Sequence, residues 1–129
     1  MYDKDHLFIE TDILAAHLTH RGDGKSILEL ALTKAICFTS VINASELYFA
    51  AQNEIEKTAV DKLLRNIKVL GLHARYSLSI NEFADKTGNV RDSLICVLVK
   101  NSKLPVLTNY HKKYKFTGIV LIDPESLRG

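Results

Sequence analysis

Phe8-Ile9-Glu10-Thr11-Asp12-Ile13-Leu14 decides how this chain reads. The apolar run Leu7 to Ile9 halts at two carboxylates flanking a threonine, and apolar residues then resume at a different spacing. Such a run reads as a buried strand, while Ile13, Leu14, His17 and Leu18 share one face of a helix. Thr11 is the expected N-cap of that helix. Glu10 and Asp12 then stand where the carboxyl end of a strand meets the amino end of a helix. That is the edge on which open parallel α/β sheets bind their ligands. Two acids in that place serve either the helix dipole or a cation.

Outward from this stretch, strands and helices alternate. Thr19 to Lys25 is a loop by its glycines and charges, and Ser26 caps a second helix through Leu28, Leu30 and Leu32 to about Ala35. Ile36 to Ile42 is a second strand, rich in β-branched and aromatic residues. Asn43 opens a helix with Glu46 three residues on. Ile55, Ala59 and Leu63, with Val60, Leu64 and Ile67 beside them, repeat at helical period. Lys68 to Leu72 reads as a third strand. Ser79 and Glu82 form a capping box for a helix that Gly88 ends. Asn89-Val90-Arg91-Asp92 starts a buried helix around Leu94 to Val99, with cations in its last turn. Leu104 to Leu107 and Ile119 to Ile122 are short strands on either side of a basic segment. The alternation predicts a three-layer α/β/α sandwich whose central, mainly parallel sheet has four to five strands. No linker or repeat divides residues 1–129, so a single domain is expected.

Composition narrows the function classes. A net charge of +2 over 129 residues is too small to signal nucleic acid or membrane by itself, so only local clustering can speak to partners. Cys37 and Cys96 lie among apolar residues and read as buried reduced thiols, in keeping with a cytoplasmic protein. The segment Met1 to His6 is charged and lacks the apolar region of a signal peptide. No apolar stretch approaches the roughly 20 residues that span a bilayer.

Glu10 with Asp12, Glu46 and Asp92 all stand at helix starts. Taken singly, each is explained by capping or by the helix dipole, and so is Glu82. Taken together they carry more. Helices that follow parallel strands begin on one edge of the sheet, so these acids can converge there. Converging carboxylates raise one another's pKa unless a cation sits among them. Mg²⁺ or Mn²⁺ suits such oxygen donors and would serve phosphodiester hydrolysis.

Four segments, I-E-T-D-I-L-A-A-H-L, N-A-S-E-L-Y, T-G-N-V-R-D-S-L-I and L-P-V-L-T-N-Y-H-K-K-Y, resemble the PIN domain in order and spacing. The resemblance is greatest to the VapC-like toxin ribonucleases of bacterial and archaeal toxin–antitoxin pairs. It implies a PIN-like fold and Mg²⁺- or Mn²⁺-dependent endonucleolytic cleavage of RNA. It also implies a homodimer and a cognate antitoxin. The family's first aspartate falls on Glu10, its glutamate on Glu46 and its third acid on Asp92. Its fourth site aligns with Tyr110 or, one residue earlier, with Asn109, and Asn109 is the better ligand. Glu10 in place of aspartate lengthens the side chain by one bond, roughly 1.5 Å. Asp12, where the family usually has asparagine, is a further candidate for the metal.

Tyr110 to Phe116 mixes lysines with aromatic rings, the composition of surfaces that hold single-stranded RNA by charge and stacking. Lys112, Lys113 and Arg91 are the candidate RNA contacts. A solvated loop with Tyr114 and Phe116 anchored in the core is the plainer account of the same residues. His17 and His20 have no third ligand nearby, and Gly22 to Ser26 lacks the first glycine and the strand of a phosphate-binding loop. The competing function is a catalytically impaired PIN-fold module that binds RNA or a protein partner without cleavage.

Overall fold

The apolar run that opens the chain becomes the middle strand of the sheet. The computed structural model describes residues 5–128, so most of the charged opening segment, Met1 to Lys4, lies outside the described residues, as does Gly129. The strands are β1 (His6–Ile9), β2 (Ile36–Ser40), β3 (Lys68–Leu70), β4 (Val106–Leu107) and β5 (Leu121–Ile122). They lie in the order β3-β2-β1-β4-β5 with every pairing parallel. Parallel neighbours need crossovers: the one from β4 to β5 carries only a 3-10 turn, His111–Tyr114, and the others carry α-helices. These are α1 (Thr11–Leu18), α2 (Ile27–Lys34), α3 (Val41–Ala50), α4 (Glu54–Leu64), α5 (Asn81–Thr87) and α6 (Val90–Ser102).

Alternation along β1 divides the core. Leu7 and Ile9 pack with Ile13, Leu14, Leu28, Leu47, Val60 and Leu63, which come from α1 to α4. Phe8 faces the other way, into Phe83 of α5 and Ile95 to Val99 of α6. The period of two therefore builds both layers from three consecutive residues. Cys37 and Cys96 are buried and unpaired with each other, and burial pushes their thiols up to about 11 and about 12. Among the described residues no helix is long and apolar enough to cross a membrane.

Most elements fall where the sequence places them, but several helix starts move. Glu10, not Thr11, is the N-cap of α1, with its own carbonyl accepting from Ile13 and Leu14. The Ser40 hydroxyl caps α3, accepting from the Ile42 and Asn43 amides, while the Asn43 side chain accepts from the Ser40 amide in return. The helix thus starts within the expected strand. Ser79 does not cap α5: it lies in a 3-10 turn, Ala74–Ser79, and Ile80 precedes the helix without a side-chain cap. Glu82 pairs instead with Lys100 across to α6. On α4 the apolar stripe drifts off the core, leaving Ile55 83% exposed while Val60 and Leu63 are buried.

Candidate active site

β1 is the strand from which the chain departs in opposite directions, with β2 on one side and β4 on the other. Its carboxyl end is therefore the topological switch point, where open sheets leave a crevice. Glu10 hangs at that point, 1% exposed, with its amide bonded to the Leu107 carbonyl of β4 at 3.1 Å. Glu46 reaches the same crevice from α3. Because α3 starts at Val41, Glu46 is free of capping, and Asn43, one turn earlier, faces the crevice with it. Asp92 arrives from the first turn of α6, where Asn89 caps the helix by accepting from the Asp92 amide at 2.8 Å.

The three carboxylates converge around one side chain, Arg91. Its Nη2 donates to Glu10 Oε1 at 2.7 Å and its Nη1 to Glu10 Oε2 at 2.8 Å. Nη2 and Nε donate to Glu46 Oε1 and Oε2 at 2.8 and 3.1 Å. Nη1 also meets Asp92 Oδ1 at 2.8 Å. Lys113 adds a second cation, 3.6 Å from Glu10 and 3.5 Å from Asp92. Glu10 further accepts from the Tyr114 hydroxyl and, at 2.8 Å, from the Asn43 amide. The Thr11 hydroxyl links Asn43 to Glu46 at 2.9 and 2.6 Å. The pocket at whose wall they meet encloses about 510 Å³ and is also lined by Asp12, Asn89 and Tyr110.

Electrostatics follows these contacts. Burial pushes the Glu10 carboxyl up, but the hydrogen bonds and charge of Arg91, with Tyr114 and Lys113, outweigh it and hold it at about 2, from an ordinary 4.5. The Glu46 carboxyl is likewise lowered, burial being overcome by Arg91 and Thr11. Burial and the Glu10 charge beside it raise the Tyr114 hydroxyl far above its usual range, so it stays a donor.

Of the residues singled out in the sequence, Glu10, Glu46, Asp92 and Arg91 meet in one place. Asp12 only borders it: its two oxygens accept from the Thr108 hydroxyl and the Asn109 amide, both at 2.8 Å. Asn109 contributes that backbone amide and lines a neighbouring cleft with Lys112, His111 and Asp123. Lys113 leans into the acids, whereas Lys112 is exposed. Of the two expected anchors, Tyr114 is buried but Phe116 is 79% exposed, with a positive φ of 65°. Sequence reasoning missed Asn43 and Tyr114. Asn43 had a signal, standing three residues before Glu46 on the same helix face. Tyr114 had none beyond its place in a basic segment.

A parallel sheet with three acids drawn together at its switch point defines an open α/β domain with an acidic pocket at its carboxyl edge. The chain belongs to the PIN domain family, whose profile matches residues 7–112. Members of that family are generally nucleases that use divalent metals. No curated protein matches the chain. Among solved structures it is similar to VapBC-1 of nontypeable Haemophilus influenzae, at 18% identity and a TM-score of 0.75, over 93% of this chain and 98% of that one. VapBC2 of Rickettsia felis, bound to a DNA fragment from its promoter, matches at 19% identity and 0.74, over 91% and 97%. A toxin–antitoxin complex of Klebsiella pneumoniae matches at 15% and 0.74, over 92% and 97%. At such identities the likeness is one of fold.

The donor set suits a hard dication in kind but not in its present arrangement. Five of the six oxygens of Glu10, Glu46 and Asp92 accept from Arg91, and the sixth, Asp92 Oδ2, accepts from Asn89 at 3.0 Å. No group of three or more histidine, cysteine or acidic side chains among the described residues is disposed to hold a metal. With Arg91 in place, a dication does not fit.

Proposed function

We propose that this protein is an endoribonuclease of the toxin class in toxin–antitoxin pairs, working with Mg²⁺ or Mn²⁺ once Arg91 has withdrawn. The observation that carries this reading is the convergence of Glu10, Glu46 and Asp92, from three separate elements, on one pocket. Glu10, 1% exposed at the carboxyl end of β1, lies too deep to meet incoming water. Its part is to fix the charge of the pocket floor. Glu46, whose side chain is 40% exposed, is the carboxylate that meets incoming water. Lys112, with exposed Tyr110 and Phe116, offers cations and ring faces to single-stranded RNA. The toxin–antitoxin neighbours support a cognate antitoxin, and the exposed Phe49 and Ile55 are apolar surface open to that partner or to a second copy of the chain.

A second reading is favoured by Arg91 itself: a PIN fold that binds RNA or a protein and cuts nothing. Incubation with labelled single-stranded RNA across a Mg²⁺ and Mn²⁺ titration separates the two. The nuclease reading expects metal-dependent cleavage that Asp92→Asn abolishes while the circular dichroism spectrum is kept. Metal-independent RNA binding with no cleavage at any ion concentration leaves only the second reading.

A further inference from the structure

Arg91 makes an unusual use of its side chain. All five N–H donors of a guanidinium are available to acceptors, and here every one is spent on a carboxylate oxygen. Two of the pairs are two-pronged, to Glu10 and to Glu46, the geometry in which arginine binds carboxylates best. The acceptors are the same oxygens through which these acids would hold a metal ion. Charge points the same way. Three carboxylates face Arg91 and Lys113, whose combined charge equals that of one dication.

Position settles the order of access. Glu10 is almost wholly buried behind the guanidinium, whereas the Arg91 side chain is 24% exposed and sits at the opening. The backbone of Arg91 is held by the Asn89 cap of α6, but the side chain has a route to solvent. An ion bound for Glu10 must take the place the guanidinium now fills.

We propose that Arg91 is the resident cation of this pocket, a tethered counter-ion that competes with a divalent metal for the same oxygens. This rests on reading the acids as a metal site, and it adds that the chain keeps that site folded and charge-compensated without metal. Binding of Mn²⁺ and seating of Arg91 exclude each other, so each weakens the other to the same extent.

Mn²⁺ binding to the full chain, read from the paramagnetic resonance signal of the free ion, tests this directly. Arg91→Gln is expected to bind Mn²⁺ at least about tenfold more tightly than the unaltered chain, the competitor being gone. Without metal this variant melts lower, and millimolar Mn²⁺ raises its melting temperature by more than that of the unaltered chain. Arg91→Lys keeps the charge but cannot grip two carboxylates at once, and its Mn²⁺ affinity falls between the two. Lys113→Gln gains less than Arg91→Gln, because its contacts are longer and single. Equal or weaker Mn²⁺ binding by Arg91→Gln overturns the proposal, as does a larger gain from Lys113→Gln. Should Arg91→Gln not fold, Arg91→Lys decides, and an affinity equal to that of the unaltered chain is then the overturning result. RNA cleavage is scored apart: an Arg91→Gln chain that binds Mn²⁺ more tightly yet cuts no RNA upholds the counter-ion and sinks the nuclease.

Discussion

Glu10 and Asp12 lie two residues apart at the mouth of the same strand, yet the regions around them are built on different principles. Around Glu10 the chain gathers two cations, a guanidinium and an ammonium, with a phenol and an amide as neutral donors beside them, drawn from α3, α6 and the segment after β4. Around Asp12 it gathers neutral donors, the Thr108 hydroxyl and the Asn109 amide, and thereby ties α1 to the end of β4. One acid is the hub of an ionic cluster and the other is a clip between two chain segments. The difference teaches that a carboxylate's role here is set by what reaches it from far along the chain.

The contrast can be broken most forcefully at Glu10. Glu10→Gln removes the carboxylate that Arg91 grips with two donors and to which the buried Tyr114 hydroxyl also donates, and is expected to lower the unfolding free energy in urea by about 2–3 kcal/mol. Acid titration sharpens the same point. Folding holds the Glu10 carboxyl at about 2 instead of 4.5, so its contribution is complete above pH 4.5 and drains away as the pH falls toward 2. That limb amounts to about 3 kcal/mol, and Glu10→Gln is expected to flatten it. Asp12→Asn keeps one acceptor oxygen and loses the other, for an expected cost of about 1–2 kcal/mol. An Asp12 variant as damaging as the Glu10 one, measured in the same urea series, would erase the distinction. The smallest effect belongs to Phe116→Gly. Relief of the left-handed backbone, about 1–2 kcal/mol, is offset by the glycine's greater freedom when unfolded, about 0.4–1 kcal/mol, which leaves a slight gain in melting temperature.

The fold was legible because its cues are local. Leu7 to Ile9 announces a strand by its apolar run, and Val60 with Leu63 announces a helix by its period. Helix starts were less so. The chain offers overlapping cap patterns, Ser40-x-x-Asn43 and Asn43-x-x-Glu46, and only packing of β2 against its neighbours selects the first. Ile55 fits the helical period but not the buried arc, which the sequence cannot separate without knowing where the sheet lies. The site was half legible. Glu10 and Asp92 followed from topology, since both stand at helix starts on one edge. Glu46 lies a turn into α3 and was placed there by a cap pattern the helix does not use. The grip of Arg91 did not follow, because it depends on partners 81 and 45 residues away.

Strand β1 hydrogen-bonds to a neighbour on each side, while α3 and α6 meet the sheet through side chains. The pocket therefore has one fixed wall and two that can give. Glu10 is bolted to the backbone least able to shift, and Glu46 and Asp92 ride on pieces that slide or tilt at lower cost. Any widening of the mouth is lopsided, opening away from the central ribbon like a door hung on a single jamb.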